Sequence, residues 1–131
     1  MLGASNPLKI PPAVRVALEE HARATAPNEA CGLVALRDGI AERYLPGLNR
    51  AASPYRFELE PGSPDDWFLE DDGYELAVFH SHPRARARPS RTDVANIGLW
   101  EDRPYLILSL ETGELRGWKI REGAVEPEPL T

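Results

Sequence analysis

Apolar and polar residues alternate along the chain with two periods, one typical of helices and one typical of strands. Residues 14–25 carry apolar or neutral side chains at helical spacing, directly after Pro11-Pro12. Shorter alternating or apolar stretches predict strands, and Asp38-Gly39 and Thr112-Gly113 are tight-turn signals between neighbouring strands. The predicted strands are Cys31–Arg37, 40–45, 55–59, 75–79, 105–110 and Leu115–Arg121.

Two more helices complete the predicted order of elements. Residues 64–70 follow Ser63, a good N-cap residue, and residues 93–100 follow the strand at 75–79. This order predicts an α/β (α+β) fold in which helices flank a curved mixed β-sheet. We expect a single domain over residues 1–131, with a core at about 12–121 and a loose, proline-rich tail at 122–131.

Length and charge exclude several classes of protein. A chain of 131 residues with 42% hydrophobic and 27% charged residues fits one globular domain. No apolar run approaches the roughly 20 residues of a membrane helix, and residues 1–12 do not resemble a signal peptide, so we expect a cytoplasmic protein without a membrane partner. The net charge of −6 disfavours nucleic acid as a partner, and the single cysteine, Cys31, excludes a disulfide framework.

A group of metal-ligand residues follows the strand at 75–79. His80 and His82 are two residues apart and would lie on the same side of an extended strand, while Pro83 should end that strand. Asp93 falls in the first turn of the predicted helix and can point back at the strand end. Two nitrogens and one oxygen form the ligand set of a catalytic zinc that keeps its fourth position for water. Two structural histidines in a loop are the alternative, which the positions of Ser90 and Asp93 disfavour.

A catalytic zinc also requires a base, and Glu29 is the best candidate. It lies just before the apolar strand Cys31–Arg37, so it can face the end of the sheet where the metal would bind. A glutamate in this position can deprotonate a water and then protonate a leaving amine. On its own, Glu29 would read as an ordinary surface residue.

Together these residues resemble the JAMM, or MPN-plus, metalloprotease family. Its pattern is a glutamate before a strand, then H-x-H-P, six residues, S, two residues and D. The chain has Glu29, His80, His82, Pro83, Ser90 and Asp93 at these positions, and the resemblance covers about residues 12–121. The triplet Cys31-Gly32-Leu33 is similar to the bacterial branch. The resemblance implies a cytidine-deaminase-like MPN fold and a zinc isopeptidase or peptidase that cleaves after the C-terminal glycines of ubiquitin-like proteins.

The resemblance also implies a role for each residue. His80, His82 and Asp93 would bind one zinc ion with a water as its fourth ligand, and Glu29 would be the general acid and base. Ser90 would donate a hydrogen bond to the tetrahedral oxyanion or to the water. Ser90 also has a structural interpretation, as the N-cap of the helix that carries Asp93. Both roles can hold together.

The resemblance leaves the substrate open. The short chain has only residues 54–73 as a possible flap, which favours a small prokaryotic ubiquitin-like sulfur carrier with a Gly-Gly tail. The scissile bond could be an isopeptide to a lysine or the bond to a C-terminal cysteine or other extension. Arg84, Arg86 and Arg88 could be solvated or could bind an acidic group. A non-catalytic MPN scaffold and a RadC-like DNA-associated protein are the alternative functions, and the sequence does not determine the oligomeric state.

Overall fold

A computed structural model describes residues 6–131 and contains one seven-stranded sheet in the order β3-β2-β1-β4-β5-β6-β7. The strands are β1 (Cys31–Arg37), β2 (Ile40–Asn49), β3 (Leu59–Pro61), β4 (Glu75–His82), β5 (Tyr105–Ser109), β6 (Leu115–Arg121) and β7 (Ala124–Glu128). The α-helices are α1 (Pro12–Thr25) and α2 (Arg91–Ala95), and 3-10 helices span Pro64–Asp72 and Gly98–Trp100. Neighbouring strands are antiparallel except for the parallel pair β4 and β5, so the predicted mixed sheet with helices is confirmed.

The sheet carries a hydrophobic core on each face. One face packs against α1, whose buried residues are Val14, Leu18 and Ala22, and the opposite face packs against Trp100 and its neighbours. In β4, Phe79 belongs to the α1 face and Val78 to the opposite face. Because side chains alternate along a strand, the histidines at positions 80 and 82 share the face of Val78. None of the helices among residues 6–131 has the length and apolar character of a membrane span.

The prediction of a strand at residues 55–59 is wrong except at its last residue. The strand that forms is Leu59–Pro61, which pairs with the end of β2. The backbone before it bonds instead to the side chain of Asn49, which donates to the Arg56 carbonyl (3.1 Å) and accepts from the Glu58 N–H (3.0 Å). Phe57 therefore packs against the sheet face without belonging to a strand, whereas Leu59 packs there and also begins β3.

The predicted helix at residues 93–100 is divided into two short elements. Helix α2 begins earlier, at Arg91, because Ser90 caps it, and it ends at Ala95. Gly98 has a φ of +48°, which an α-helix does not accommodate, and a separate 3-10 turn begins there. The helix predicted at 64–70 is a 3-10 helix, and Ser63 caps it as predicted.

The prediction of a loose tail is wrong, because most of the tail forms β7 and pairs with β6. Glu122 and Gly123 both have positive φ, at 50° and 80°, which is the geometry of a tight hairpin turn. Leu130 lies beyond β7, bridges to Leu8 and packs against the core on the α1 face. The expectation that residues 1–12 are not a signal peptide includes residues 1–5, which lie outside the described residues, and it stays a prediction.

Strands β1 and β2 approach closely at Gly32, where a side chain has no room. A Cβ at this position would lie 2.5 Å from the Tyr44 hydroxyl oxygen and 2.6 Å from the Leu45 carbonyl oxygen. The same hydroxyl lies 2.6 Å from Nδ1 of His21 on α1. The glycine thus allows the contact between α1 and the sheet that supports the core.

We expect Gly32→Ala to lower the free energy of unfolding by about 1–3 kcal/mol, because the added methyl group forces Tyr44 or the β2 backbone to move. Gly39→Asn is the matched control, since a Cβ there meets nothing within 4 Å and asparagine tolerates the positive φ of the turn. Urea titration of both variants measures the difference. Equal free energies of unfolding for Gly32→Ala and Gly39→Asn would contradict the expected clash at Gly32.

Candidate metal centre

Four ionisable side chains meet at the carboxyl end of β4. His80 and His82 end that strand, Asp93 comes from α2, and Glu29 comes from the segment before β1. The antiparallel register of β1 and β4 sets Cys31 opposite His80, which places Glu29 at the same end of the sheet. All four side chains are buried, and none is more than 3% exposed. The structure therefore brings together residues that are up to 64 positions apart (93 − 29).

Three of these side chains form a nearly equilateral triangle of ligand atoms. Nε2 of His80 lies 3.0 Å from Nε2 of His82, and Oδ2 of Asp93 lies 3.1 Å from His82 Nε2 and 3.3 Å from His80 Nε2. Zinc–ligand distances of about 2.0–2.1 Å place the ligand atoms of a tetrahedral site about 3.3–3.4 Å apart. The triangle is thus close to one face of a zinc tetrahedron, and the donor set fits that metal.

Glu29 lies beside this triangle. Its Oε1 atom is 3.9 Å from His80 Nε2, and Glu29, His80 and His82 also offer ligand atoms within 4.8 Å of one another. The shorter distances from Asp93 favour that residue as the third ligand. Among the described residues, no donor bonds to the buried Oε1 of Glu29. A buried carboxylate oxygen without a partner is costly, and it fits a site that binds a cation or a water.

Burial controls the charge of these groups. It raises the pKa of Glu29 to about 8, and the nearby anion Asp93 adds to this effect while His82 opposes it. Burial also lowers the pKa of His80, which keeps this ring neutral. The pKa of Asp93 is lowered, because both histidines and the Ser90 N–H outweigh the effect of its burial.

His82 behaves differently, because burial opposes its charge but hydrogen bonds to Asp93 and to the Arg86 carbonyl raise its pKa. A cation bound at Nε2 would displace a proton there, so metal binding should release it. Nδ1 of His82 donates to the Arg86 carbonyl oxygen at 2.7 Å, which directs Nε2 toward the triangle. No sequence pattern points to this contact, since every residue has a carbonyl.

Ser90 orients Asp93 through a reciprocal pair of hydrogen bonds. Its backbone N–H donates to Asp93 Oδ2 at 2.9 Å, and its Oγ accepts from the Asp93 N–H at 3.0 Å. This arrangement confirms the predicted N-cap. A hydroxyl that accepts one hydrogen bond still has its own proton to donate.

The loop between the ligands is anchored through its carbonyl groups. Ser109 Oγ donates to the Ala85 carbonyl at 2.7 Å, and Trp118 Nε1 donates to the Ala87 carbonyl at 2.9 Å. Together with the bond from His82 to Arg86, the carbonyls of three consecutive residues are therefore fixed to the core. The loop backbone is therefore held rigidly although several of its side chains are exposed.

The segment that carries Glu29 is anchored by two residues that sequence reasoning missed. Asn49 donates to the Glu29 carbonyl at 3.0 Å, and the Glu29 N–H donates to the Ser53 carbonyl at 2.8 Å. Ser81 accepts from the Ala30 N–H through its Oγ at 2.8 Å and donates its own N–H to the Ala30 carbonyl at 3.0 Å. Ser81 could have been singled out by its position between the two histidines, whereas Asn49 belongs to no motif.

Two clefts reach members of this group of four side chains. The first has a volume of about 440 Å³ and reaches Asp93, and the second has a volume of about 380 Å³ and reaches Glu29, His82 and Ser90. Phe57 lines the first cleft and stacks on the His80 ring, with centroids 4.5 Å apart. Its aromatic ring covers the histidine from the side of that cleft. Leu59 and Trp100 also line the first cleft.

Cys31 is buried, and burial followed by the charge of Glu29 raises the pKa of its thiol to about 12. A thiol with such a pKa is not a nucleophile at neutral pH, which agrees with the interpretation of this residue as a small core side chain.

Comparison with known proteins gives the family. Residues 11–121 match the family described as prokaryotic homologs of the JAB domain. The chain belongs to this family. The match covers the same region as the predicted resemblance to JAMM proteins, and the prediction of a bacterial JAMM/MPN member is confirmed.

This JAB-family chain is similar to the CysO-cysteine peptidases of Mycobacterium tuberculosis and Mycobacterium bovis. The identity is 37% over 122 residues, which cover 87% of this chain and 83% of each relative. It also resembles the solution structure of protein DSY2949 from Desulfitobacterium hafniense, with a TM-score of 0.77, 29% identity and coverage of 94% and 90%. A structure described as a JAMM metalloprotease-like zinc site in the proteasome and signalosome shares the fold, with a TM-score of 0.59, 16% identity and coverage of 96% and 99%.

We expect the purified protein to contain about one zinc per chain and His82→Ala to contain almost none, because the triangle loses one of its three donors. His21→Ala is the matched control, since this histidine lies on α1 and contacts Tyr44 instead. Metal analysis after dialysis measures both variants. Equal zinc in the wild type and His82→Ala would overturn the ligand assignment.

Proposed function

We propose that this protein is a zinc-dependent peptidase that cleaves after the terminal Gly-Gly of a ubiquitin-like sulfur carrier and releases a C-terminal cysteine. One observation carries the proposal: the buried carboxylate of Glu29 lies 3.9 Å from His80, beside a triangle of donors that fits zinc. All residues that the proposed chemistry needs are present, which supports an enzyme over a non-catalytic scaffold. The net charge of −6 disfavours a DNA-associated role.

His80, His82 and Asp93 would hold the metal. When bound, zinc supplies a Lewis acid that polarises the scissile carbonyl and lowers the pKa of a water. The protein contributes fixed ligand directions, because Arg86 orients His82 through its carbonyl and Ser90 orients Asp93. Such contacts around metal ligands strengthen metal binding by holding the donors in place.

Glu29 moves the proton. Its carboxylate would accept a proton from the attacking water, and the carboxylic acid would then donate it to the leaving nitrogen as the C–N bond breaks. The products are the carrier with a free glycine carboxylate and an amino acid with a free amine. A pKa raised to about 8 by burial suits a group that must both accept and donate a proton near neutral pH.

Ser90 has a second task in this reaction. Its Oγ accepts from the Asp93 N–H, so its own proton is available for the oxyanion that forms on the scissile carbonyl. Ser90 lines the same cleft as Glu29 and His82, which supports this role. A donor aimed at an oxyanion contributes about 10²–10³ to the rate.

The first cleft suits the Gly-Gly tail of the carrier. It lies beside β3, which is the edge strand of the sheet, so an extended tail can pair with this strand. Phe57, Leu59 and Trp100 supply apolar surface along this cleft, which reaches Asp93. Glycine has no Cβ and can pass such a narrow path.

The relatives support cysteine as the released group. Proteins that are 37% identical over 83% of their length are named CysO-cysteine peptidases. Of the two bonds that the sequence leaves open, the bond to a C-terminal cysteine is the one named by these relatives, and an isopeptide bond to lysine has no comparable support.

Glu29→Gln should retain zinc and fold but reduce kcat/KM by about 10²–10⁴, because an amide cannot accept the proton of water. The substrate is a ubiquitin-like carrier encoded in the same genome, prepared with a cysteine after its Gly-Gly, and mass spectrometry follows its shortening. Glu20→Gln, on the exposed side of α1, is the control. Cleavage by Glu29→Gln near the wild-type rate would rule out Glu29 as the base.

Replacing the last glycine of the carrier by valine should reduce cleavage by more than about 100-fold, since a branched side chain blocks the narrow passage and disturbs extended pairing beside β3. A valine placed well before the tail of the carrier is the matched control. Initial rates of both carriers by mass spectrometry measure the effect. Comparable rates would indicate a general peptidase without a glycine channel.

A further inference from the structure

The three arginines of the loop between the ligands line two different depressions of the surface. Arg84 lines the second cleft together with Glu29, His82 and Ser90. Arg86 and Arg88 line a separate depression beside Trp118, and the Arg88 guanidinium lies 5.3 Å from the centre of that indole ring. Only Arg84 of the three therefore faces the candidate active site.

We propose that Arg84 binds the free α-carboxylate of the amino acid that the enzyme releases. This inference rests on the proposed function, and it narrows the substrate to a carrier that ends in a single amino acid. An arginine guanidinium matches a carboxylate with two parallel hydrogen bonds, so it recognises the chain end itself.

The position of the second cleft fits the leaving group. If the Gly-Gly tail occupies the first cleft, the residue beyond the scissile bond lies on the other side of the ligand triangle, where the second cleft begins. This cleft has about 380 Å³, which is within the usual range for sites of small ligands. It is mainly apolar, and its walls come from Pro27, Pro54, Tyr55, Pro83 and Ala85. Such walls suit a small side chain, and the Arg84 guanidinium suits the α-carboxylate of the same amino acid.

Arg84 is the one arginine or lysine among the residues that line the second cleft. Arg84 is exposed and forms no ion pair with the residues that the structure describes, whereas Arg103 and Arg121 are paired with acids. Its guanidinium is thus available for an anion from solution.

The backbone around Arg84 is already fixed. Pro83 directly precedes Arg84, and its ring fixes its own φ angle. The carbonyls of Ala85 and Arg86 accept hydrogen bonds from Ser109 and His82, at 2.7 Å each. Binding a carboxylate therefore requires ordering of one side chain and not of a loop, which lowers the entropic cost of recognition.

Carboxylate recognition by Arg84 would distinguish between the two bonds that a peptidase of this family could cleave. A cysteine joined to the last glycine carries its free carboxylate next to the scissile nitrogen. A lysine joined through its side chain has its α-carboxyl group within a protein backbone, so it offers no such charge. Arg84 should thus favour cleavage of the bond to a C-terminal amino acid over cleavage of an isopeptide bond.

The experiment compares two substrates that differ only at the chain end. One carrier ends in Gly-Gly-Cys with a free carboxylate, and the other ends in the corresponding cysteine carboxamide. Wild type, Arg84→Gln and Arg88→Gln are measured with both, and mass spectrometry gives kcat/KM for the shortened carrier. Arg88→Gln is the matched control, because it removes the same charge from the same loop but outside the second cleft. Zinc content and the circular dichroism spectrum verify that all three proteins are folded.

We expect the wild type and Arg88→Gln to prefer the carboxylate by about tenfold or more, as expected for a hydrogen-bonded ion pair. Arg84→Gln should lose this preference, with its rate on the carboxylate substrate falling to the level of the amide. A preference retained in Arg84→Gln, or equal cleavage of both substrates by the wild type, would overturn the inference and leave the proposed function standing. Cleavage of neither substrate by the wild type would overturn both.

Discussion

The antiparallel pairing of β1 with β4 is the constraint on which the site depends. It sets Cys31 opposite His80, and Ser81 and Ala30 exchange two hydrogen bonds directly beyond this pair. Because side chains alternate along a strand, a slip of one residue would turn both histidines toward α1 and separate them from Glu29. The hydrophobic residues of both strands prevent such a slip, since each face of the sheet has its own core. The stability of the core and the geometry of the site are thus set by the same register.

The site itself works against this stability. Burial raises the pKa of Glu29 to about 8, which means that the folded chain disfavours the charged carboxylate that the proposed chemistry uses. Asp93 and the histidines are taken out of water as well, and hydrogen bonds from Ser90 and to Arg86 compensate only part of the cost. A bound cation would compensate the rest. Metal and fold should therefore be coupled, as in other sites whose donors are poorly solvated.

Sequence reasoning succeeded where the information was local. The spacing of His80 and His82 follows from strand alternation, and Ser90 and Asp93 form a capping box within four residues. Asn49 and the Arg86 carbonyl were missed, because a distant side chain and a backbone atom leave no pattern in the chain. The segment at 55–59 has the pattern of a strand because Phe57 and Leu59 alternate with polar residues, although these two side chains pack over the sheet face. The proline-rich composition of the tail predicts a loose segment, but the turn at Glu122-Gly123 returns the chain to pair with β6.

The anchoring of the ligand loop through carbonyls has an evolutionary consequence. Every residue has a carbonyl, so the clamps from Ser109, Trp118 and His82 hold the loop whatever side chains it displays. Exposed positions such as Arg84 and Ala85 can then change with little effect on the metal ligands or on folding. Side chains at the mouth of the second cleft can thus be exchanged on a backbone that stays in place.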